Sequence, residues 1–310
     1  MIRYIVKRFL QLIPVMLGVT FIVFFIQNIR PGDPARELLG NEATEEEIYE
    51  LREELGLNDP FLERYVDYVC DTFFRFDFGT SWRTRLPIGP DVVARIKISF
   101  LITLLGITGA VLIGVPIGVL SAVKQYSFVD NISRITSIFF STVPSFWLAM
   151  MLAFIFAVKL HLLPSSGADG WECYILPTIS LALPYSAMFV RMTRSTVLET
   201  IRSDYVRTAH AKGLPVKRVI FQHALRNAWL PVITLIATNF GALFGSAVIT
   251  ESVFNMPGLG TMMTSAVKQF DTPVVMAGTL VLSFICGFLL LVGDIIGAYV
   301  DPRVKAKYSK

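Results

Sequence analysis

The sequence predicts an all-α integral membrane protein with six transmembrane helices and a helical insert after the first of them. Of its 310 residues, 54% are hydrophobic and 17% are charged, whereas soluble domains carry about 25% charged residues. A helix needs about 20 mostly apolar residues to cross a bilayer. Six stretches reach or approach that length: residues 9–29, 99–123, 135–158, 175–192, 232–250 and 274–299.

The first stretch follows Arg3, Lys7 and Arg8, as the apolar core of a signal peptide would. It runs for about 20 apolar residues, however, and continues into RPGDPA without a small-residue cleavage site. We therefore expect a retained first span.

Lysine and arginine placement predicts the orientation, because these residues concentrate in the cytoplasmic segments of membrane proteins. With the N-terminus inside, the inner segments hold sixteen of them and the two short outer loops hold Lys159 and Lys268. Both termini and residues 200–231 are then cytoplasmic. The sixteen are Arg3, Lys7, Arg8, Lys124, Arg134, Arg194, Arg202, Arg207, Lys212, Lys217, Arg218, Arg226, Arg303, Lys305, Lys307 and Lys310.

The insert, residues 30–98, is predicted to lie outside and to be helical and acidic, with fifteen Asp/Glu against nine Lys/Arg. Thr44 and Glu47 have the spacing of a capping box. Ile48, Leu51 and Leu55 share one helical face, and Gly56 can end that helix.

A second amphipathic stretch in the insert, residues 60–76, is suited either to the membrane interface or to packing on the spans. Its aromatic-rich face consists of Phe61, Tyr65, Tyr68, Val69 and Phe73. The insert as a whole is either a helical cap that takes part in function or a plain connector.

Residues 200–231 form a predicted basic helix-turn-helix, which we name the elbow. Ser203 or Asp204 can cap its first helix, and Gly213 can close that helix in the left-handed conformation. Pro215 suits the first turn of a second short helix that runs to about Asn227.

No catalytic or metal-binding pattern is present in the sequence. His161, His210 and His223 are scattered, no cysteine pair has metal-ligand spacing, and no Gly-rich phosphate loop occurs. Cys70 and Cys173 fall on the same side, but two cysteines without a known separation do not predict a bridge. The basic residues match lipid headgroups rather than nucleic acid.

Ionisable residues inside the predicted spans are also sparse. Asp294 is well within the last span, where a helix-packing role is favoured over a substrate role. Glu251 and Arg191 lie at span ends, where snorkelling would lower the cost of their charges. Ion-coupled carriers need charged or broken-helix sites near mid-membrane, so energy is expected to arrive by mechanical contact at the elbow.

Several motifs carry a family resemblance in order and spacing. The elbow contains DYVRTAHAKGL (204–214) and HALRNAWLPVIT (223–234). Other stretches agree over nearly the whole chain: KRFLQLIP (7–14), PGDPA (31–35), LGLNDP (55–60), DFGTS (77–81), VPSFWLA (143–149), RMTRSTVLE (191–199), ESVFNMPGLG (251–260) and DPR (301–303). Together they resemble the membrane subunits of bacterial ABC importers, specifically the peptide and nickel group.

The chain departs from the importer pattern in the loop and before Asp294. The general loop pattern is Glu-Ala-Ala, three residues, then Gly, whereas this chain has Arg207, Thr208, Ala209 and Gly213. The missing Glu and the longer spacing to the following Leu-Pro are themselves similar to the peptide and nickel branch. Before Asp294 the chain has Val-Gly where many members have Asn-Leu, which leaves the role of that carboxylate open.

The resemblance implies a type I importer permease of the bacterial cytoplasmic membrane. Its implied partners are a sister permease, two ABC ATPase subunits that hold ATP and magnesium, an extracytoplasmic solute-binding protein and membrane lipid; the chain itself would be non-catalytic and without a cofactor. The implied ATPase-coupling residues are Ser203, Asp204, Tyr205, Arg207, Ala209, Lys212 and Gly213, with Tyr205 and Ala209 on one face at i and i+4.

Candidates for the translocation path come from polar and helix-distorting residues within the spans, which either line a cavity or permit close helix contact. They are Ser141, Thr142, Pro144, Ser145, Asn239, Ser246 and Thr250. Di- or oligopeptides are the favoured cargo, and nickel or a metallophore is the alternative. An ion-coupled carrier acting alone and a non-transporting scaffold represent other classes.

The expected organisation has four parts. Residues 1–29 form the inner N-terminal end and first span, and residues 30–98 the insert. Residues 99–299 form a five-helix core that contains the coupling loop 193–231. Residues 300–310 form a cytoplasmic tail.

Overall fold

A computed structural model describes residues 2–40, 42–215 and 218–300, and this part of the chain is almost entirely helical. Its one β-contact is an isolated bridge between Thr80 and Pro87. The helices are α1 (Ile2–Ile29), α2 (Pro34–Leu39), α3 (Glu45–Glu54), α4 (Phe61–Phe74), α5 (Ile88–Val123), α6 (Phe128–Thr142), α7 (Ser145–Leu152), α8 (Ile175–Ile201), α9 (Asp204–Ala211), α10 (Leu225–Val253), α11 (Leu259–Lys268) and α12 (Thr272–Val300).

Five helices in this part of the chain are long and apolar enough to cross a membrane, namely α1, α5, α8, α10 and α12. A sixth apolar segment is a bent pair, α6 followed by α7 and its π-helical continuation Ala153–Lys159. The all-α membrane fold and its six apolar segments are therefore confirmed, with the third span in two pieces.

The second span begins earlier than predicted. The helix α5 starts at Ile88 rather than near residue 99, and its 36 residues extend for about 54 Å. That length exceeds the hydrocarbon core of about 30 Å. The first turns are helical because Ile88 and Val92 are buried against α10, α11 and α12, so the last residues of the insert belong to α5.

The third span breaks where the polar residues and proline predicted a distortion. Val143 has φ −70° and ψ 126°, the extended backbone that a following proline favours, and Pro144 supplies no N–H to continue α6. The two pieces meet at a bend of 100°.

Small residues bring α5 and α8 into close contact. Gly106, Ala110, Gly114 and Gly118 recur at every fourth position of α5, and all four are buried. A Cβ placed on Gly118 would lie 2.8 Å from the Val190 carbonyl oxygen of α8. This series, which we call the glycine seam, lets the two backbones approach as small-xxx-small motifs do in membranes. The main apolar core continues from it towards α10 through Ile102, Phe189 and Leu243.

The helix α3 in the insert has the predicted ends and face. Thr44 Oγ1 accepts from the Glu47 N–H at 3.3 Å, and Glu47 Oε2 accepts from the Thr44 N–H at 2.8 Å. These bonds from Thr44 hold the pKa of Glu47 below its usual range. Gly56 has φ +64°, and Ile48 and Leu51 are buried, so the capping box and the apolar face are both confirmed.

The aromatic face of α4 packs on the spans. The rings of Phe61 and Tyr65 lie 5.1 and 5.6 Å from that of Phe24 on α1. The Tyr65 hydroxyl donates to the Leu17 carbonyl at 2.8 Å, and the Tyr68 hydroxyl donates to the Met276 carbonyl of α12 at 3.1 Å. Of the two interpretations of this stretch, packing on the spans is confirmed. Cys70, Cys173 and Cys286 are all free thiols.

The glycine seam predicts that one added methyl group destabilises the protein. In Gly114→Ala the new Cβ would lie 2.7 Å from the Ser186 carbonyl oxygen and 2.8 Å from the Phe189 Cβ. Overpacking of this kind costs about 1–3 kcal/mol, so we expect a lower thermal midpoint in detergent. Gly18→Ala on α1 is the control, because no heavy atom lies within 4 Å of its new Cβ. Equal midpoints for the two variants would contradict the seam.

Candidate functional site

The elbow is a sharp turn at the end of α8. The helix α8 ends at Ile201, α9 covers Asp204–Ala211, and Gly213 then turns the chain with φ +75°. The Gly213 N–H donates to the His210 carbonyl at 2.9 Å, which closes the last turn of α9. The left-handed conformation predicted for Gly213 is confirmed.

A small apolar cluster holds the two arms of the elbow together. Val206 and Ala209 of α9 pack on Val219 and Ala224 of the second arm, all of them at most 6% exposed. Tyr205 is 45% exposed. The expectation that Tyr205 and Ala209 offer one common contact surface is therefore wrong, because Ala209 faces the interior of the elbow.

The exposed side of α9 carries polar and charged residues. Asp204, Arg207 and Lys212 are exposed, and the Asp204 and Arg207 side chains form an ion pair at 3.6 Å. At that exposure such a pair adds little stability. The outer face of α9 is therefore available for a contact with another molecule.

The start of α9 differs from the expected side-chain cap. Ser203 occupies the N-cap position with extended backbone, but its hydroxyl donates to the Thr200 carbonyl at 2.6 Å and caps no N–H of α9. Asp204 is already the first residue of the helix. The Ser203 hydroxyl thus links α9 back to the end of α8.

The second arm is not a separate short helix. A π-helical turn, Val219–Ala224, leads directly into α10, which runs from Leu225 to Val253. The predicted end at about Asn227 is wrong, and Pro231 is accommodated inside α10. A continuous helix satisfies its own backbone hydrogen bonds, which favours continuation as the chain enters a membrane. Any displacement of the elbow therefore acts directly on a span.

A second buried cluster beside the elbow joins the ends of three spans. Ala122 at the end of α5, Val197 of α8 and Ala228 of α10 form one buried cluster. Three spans consequently meet beside the elbow, which follows α8 and leads into α10.

An ion pair fastens α8 to the start of α6. Asp130 is fully buried, and its carboxylate accepts from Arg194 Nε at 2.6 Å and from Nη2 at 2.8 Å. The Ser121 hydroxyl and the Tyr126 N–H also donate to this carboxylate, at 2.5 and 2.9 Å. Such a bidentate pair with further donors meets the conditions under which a buried charge is tolerated. We call this group the Asp130 clamp.

Arg191, one turn before Arg194, reaches the end of α6 next to the break. Its Nη1 donates to the Ser137 carbonyl at 3.0 Å and also to the Ser141 hydroxyl. A cation at a helix C-terminus is favoured by the carbonyl dipoles there. Arg191 therefore binds a neighbouring helix, and the expectation of simple snorkelling is wrong.

Four of the path candidates lie at the break and three along α10. At the break, Ser141, Thr142 and Pro144 are exposed and Ser145 is half-buried. The Ser141 and Thr142 hydroxyls donate to carbonyls of their own helix at 2.7 and 2.9 Å. The structure thus leaves this polar group on the surface of the chain.

The three candidates on α10 have different surroundings. Asn239 donates to the Leu235 carbonyl at 2.8 Å, and the Ser246 hydroxyl lies 3.2 Å from that of Tyr185. Thr250 is 2% exposed. It is packed inside the chain and lines no open path in this conformation, which corrects its inclusion.

The two intramembrane carboxylates serve packing. Asp294 Oδ2 of α12 lies 3.4 Å from Arg8 Nη2 of α1, which confirms the helix-packing role. Glu251 is fully buried rather than snorkelling, and its carboxylate accepts from the Gly260 N–H at 2.7 Å at the start of α11. A side chain at Gly258 would collide with that carboxylate.

Within the described ranges, no group of three His, Cys, Asp or Glu residues could hold a metal ion. Some sequence-based assignments concern residues outside those ranges. They are the charges of Lys217, Arg303, Lys305, Lys307 and Lys310, the DPR motif at 301–303 and the tail.

Sequence reasoning missed the Asp130 clamp and the Arg191 contact. Local spacing pointed to the residues involved but not to their partners. Ser127 and Asp130 have cap spacing, and the Ser127 hydroxyl does accept from the Asp130 N–H at 3.3 Å. Arg191 and Arg194 are three residues apart and therefore share a face of α8. The pairing across 64 positions of sequence carried no local signal.

Comparison with known families finds two matches on this chain. The family model described as the inner membrane component of binding-protein-dependent transport systems matches residues 114–306. The model for the N-terminal part of such membrane components matches residues 1–89.

Two curated relatives match along their full length. The dipeptide transport system permease protein DppB of Alkalihalophilus pseudofirmus is 37% identical, over 98% of this chain and 100% of the relative. The glutathione transport system permease protein GsiC of Escherichia coli K12 is 35% identical, over 99% of this chain and 100% of the relative.

Two solved structures share the fold at lower identity. An inward-facing form of the MetNI methionine ABC transporter is 19% identical with a TM-score of 0.53, over 68% of this chain and 96% of that one. An amino acid ABC transporter with histidines is 14% identical with a TM-score of 0.52, over 65% of this chain and 93% of that one.

The Asp130 clamp predicts a large cost for removing one partner. Asp130→Ala leaves the Arg194 charge, whose side chain is only 20% exposed, without its carboxylate. Breaking a buried pair lowers the free energy of unfolding by about 3–5 kcal/mol. The double variant Asp130→Ala with Arg194→Ala should recover part of this lost stability. Asp71→Ala is the control, because its partner Arg75 is 77% exposed and the pair is worth at most about 1 kcal/mol. Equal costs for Asp130→Ala and Asp71→Ala would contradict the clamp.

Proposed function

The chain belongs to the family of binding-protein-dependent transport system inner membrane components, and on this premise we propose that it is a permease subunit of an ATP-driven ABC importer for dipeptides or oligopeptides. It is a multi-pass membrane protein and a non-catalytic subunit. The peptide assignment is supported by the names of two full-length relatives, one a dipeptide permease and the other a permease for glutathione, itself a small peptide.

Nickel or a metallophore is the alternative cargo within this class. None of the relatives described above is named for nickel, and the described residues contain no metal-binding group. A carrier acting alone is less well supported, since both intramembrane carboxylates are engaged in packing contacts. Peptide import remains the best-supported function.

In the proposed orientation both termini and the elbow face the cytoplasm. The distribution of lysine and arginine supports this, because most of them fall on segments that one side of the membrane would share. The insert then lies at the outer surface, where a solute-binding protein would deliver cargo.

The structure of the elbow is the observation that best supports the proposal. Its inner side is locked by the Val206 and Ala209 cluster, and its outer side presents Tyr205, Arg207 and Lys212. A rigid turn with an exposed polar face suits a contact that must transmit force. We assign Asp204, Tyr205, Arg207 and Lys212 to ATPase contact, with Gly213, Ser203 and Ala209 setting the shape of the elbow.

Movement of the elbow would reach the third span through α8. The Asp130 clamp and Arg191 fasten α8 to α6, and the glycine seam fastens α8 to α5. When the ATPases close, α5, α6 and α8 would move together and carry the break at Pro144 with them. This is a rigid-body change of the kind used in alternating access.

The path itself would be shared with a sister permease. Ser141, Thr142 and Pro144 are exposed at the break, and Ser145, Asn239 and Ser246 are half-buried, so these six remain the candidate lining. The other proposed partners are two ATPase subunits, which would hold ATP and magnesium, and an extracytoplasmic solute-binding protein.

Reconstitution of the whole importer tests this function. The chain, its sister permease, the ATPases and the binding protein are assembled in proteoliposomes, and uptake of a dipeptide, a longer peptide, glutathione and a nickel chelate is measured. We expect ATP-dependent uptake of peptide only when the binding protein is present. Uptake by this chain alone under an ion gradient, or uptake of nickel but no peptide, would contradict the proposal.

Gly213→Val tests the coupling role of the elbow. At φ +75° a β-branched residue is strained, although no heavy atom lies within 4 Å of the new Cβ, so the effect comes from the backbone alone. We expect peptide uptake per ATP hydrolysed to fall about tenfold, from a strain of 1–2 kcal/mol. Gly213→Asn should retain coupling, since Asn tolerates this conformation.

The matched control for this variant is Gly40→Val. Gly40 has φ +89° in equally open space, but it lies in the insert. The same loss of coupling in both variants would show that the elbow has no special role.

A further inference from the structure

Four arginine side chains line one cavity at the outer end of α1. The cavity has a volume of about 390 Å³ and lies between α1, the insert and the first residue of α12. Its lining includes Arg30, Arg36, Arg52 and Arg64, with Asp33 as its single carboxylate. The local charge of plus three contrasts with the insert around it, which carries a net charge of minus six.

Two of these arginines have no acidic partner among the residues that the structure describes. Arg36 pairs with Glu45 at 2.5 Å, and Arg52 pairs with Asp33 at 3.2 Å. In the part of the chain that the structure describes, neither Arg30 nor Arg64 has a carboxylate within ion-pair distance. The cavity thus holds more guanidinium charge than its own residues neutralise.

Protein contacts hold Arg30 and Arg64 in place without using most of their donors. Arg30 donates to the Val267 carbonyl and lies over the Phe270 ring, with Cζ 3.5 Å from the ring centroid. Arg64 donates to Asn28 Oδ1 at 3.3 Å and lies over the Phe24 ring. Each guanidinium has five N–H donors, so both remain able to bind an anion.

The charge of Arg64 is costly because its side chain is partly buried. Burial lowers the pKa of its guanidinium, the nearby Asp59 charge opposes that shift, and the Arg52 charge adds to it. An anion between Arg52 and Arg64 would offset the repulsion between their two positive charges. Planar guanidinium groups match the oxygens of phosphate better than any other side chain does.

The position of the cavity indicates where such a phosphate comes from. The helix α1 is the most exposed of the five straight spans, with only 17% of its apolar window buried. Close to the cavity, Ile26 and Ile29 are 53% and 61% exposed. An apolar helix surface beside a cluster of arginines at a membrane boundary matches both parts of a phospholipid.

We propose that this cavity binds the phosphate headgroup of an anionic phospholipid and thereby fixes the insert against α1. The inference rests on the proposed function only in placing this end of α1 at the outer leaflet. Lipid binding itself can be measured on the purified importer without nucleotide or cargo, so its failure is distinct from a failure of transport.

The test compares phosphatidylglycerol with phosphatidylcholine. The importer is delipidated, placed in nanodiscs containing equal amounts of both lipids, and re-extracted with the lipids it retains, which are quantified by mass spectrometry. We expect enrichment of phosphatidylglycerol, and about a hundredfold weaker retention in Arg30→Gln with Arg64→Gln, since two charged hydrogen-bonding groups are lost.

The control variant is Arg83→Gln, which removes an exposed arginine of the insert outside the cavity. It should retain phosphatidylglycerol like the native protein. If the double variant unfolds in phosphatidylcholine nanodiscs, Arg36→Gln replaces it. The Arg36 side chain is 51% exposed, so its loss should have little effect on the stability of the protein. Partial loss of retention is then expected.

Two results would overturn the proposal. One is equal retention of phosphatidylglycerol by the native protein and by the cavity variants. The other is complete displacement of phosphatidylglycerol by millimolar inorganic phosphate, which would assign the cavity to a free anion. Selective loss in the cavity variants, unaffected by inorganic phosphate, supports a lipid site.

Discussion

The close contact of α5 and α8 is the constraint on which the rest of this structure depends. Lipid chains are as apolar as leucine, so helices in a bilayer gain little from hiding apolar surface and must gain from close packing. Gly114 and Gly118 allow that packing because they have no side chain at the points where the α8 backbone passes. Polar contacts then fix the position of α8 relative to α6, since Arg194 and Arg191 reach from α8 to α6. The result is a three-helix unit with little freedom to slide.

This unit joins the elbow to the break in the third span. At one end α8 leads directly into the elbow, and at its side Arg191 holds the end of α6 next to the break at Pro144. Arg191 and Arg194 lie one turn apart, so the helix that would receive force at the elbow also contacts the third span at two points. The proposed coupling would therefore need no long series of residues, because one helix, α8, connects the elbow with the break.

Local sequence signals predicted much of this architecture. The lengths of the apolar stretches predicted the spans. Single residues predicted the capping box at Thr44, the turn at Gly213 and the break at Pro144, because each of these features depends on the conformation of one or two residues. The Asp130 clamp, the burial of Glu251 and the inward-facing Ala209 were missed. Each depends on which helix lies opposite, and hydropathy and spacing do not contain that information. The start of α5 was missed for the same reason, since Ile88 is helical owing to its burial against distant helices.

Polar residues of this chain divide into two groups, and the division follows function. Asp130 and Arg191 are satisfied by partners within the chain, and one carboxylate oxygen of the buried Glu251 accepts from the Gly260 N–H, so all three residues stabilise one arrangement of the helices. Ser141, Thr142, Tyr205 and Arg207 remain exposed at the break and at the elbow. Buried polar groups favour a rigid structure because leaving one unpaired is costly, whereas exposed ones can change partners at small cost. In the proposed importer, the first group would transmit force between helices, and the second group would be left for contacts with cargo and ATPase.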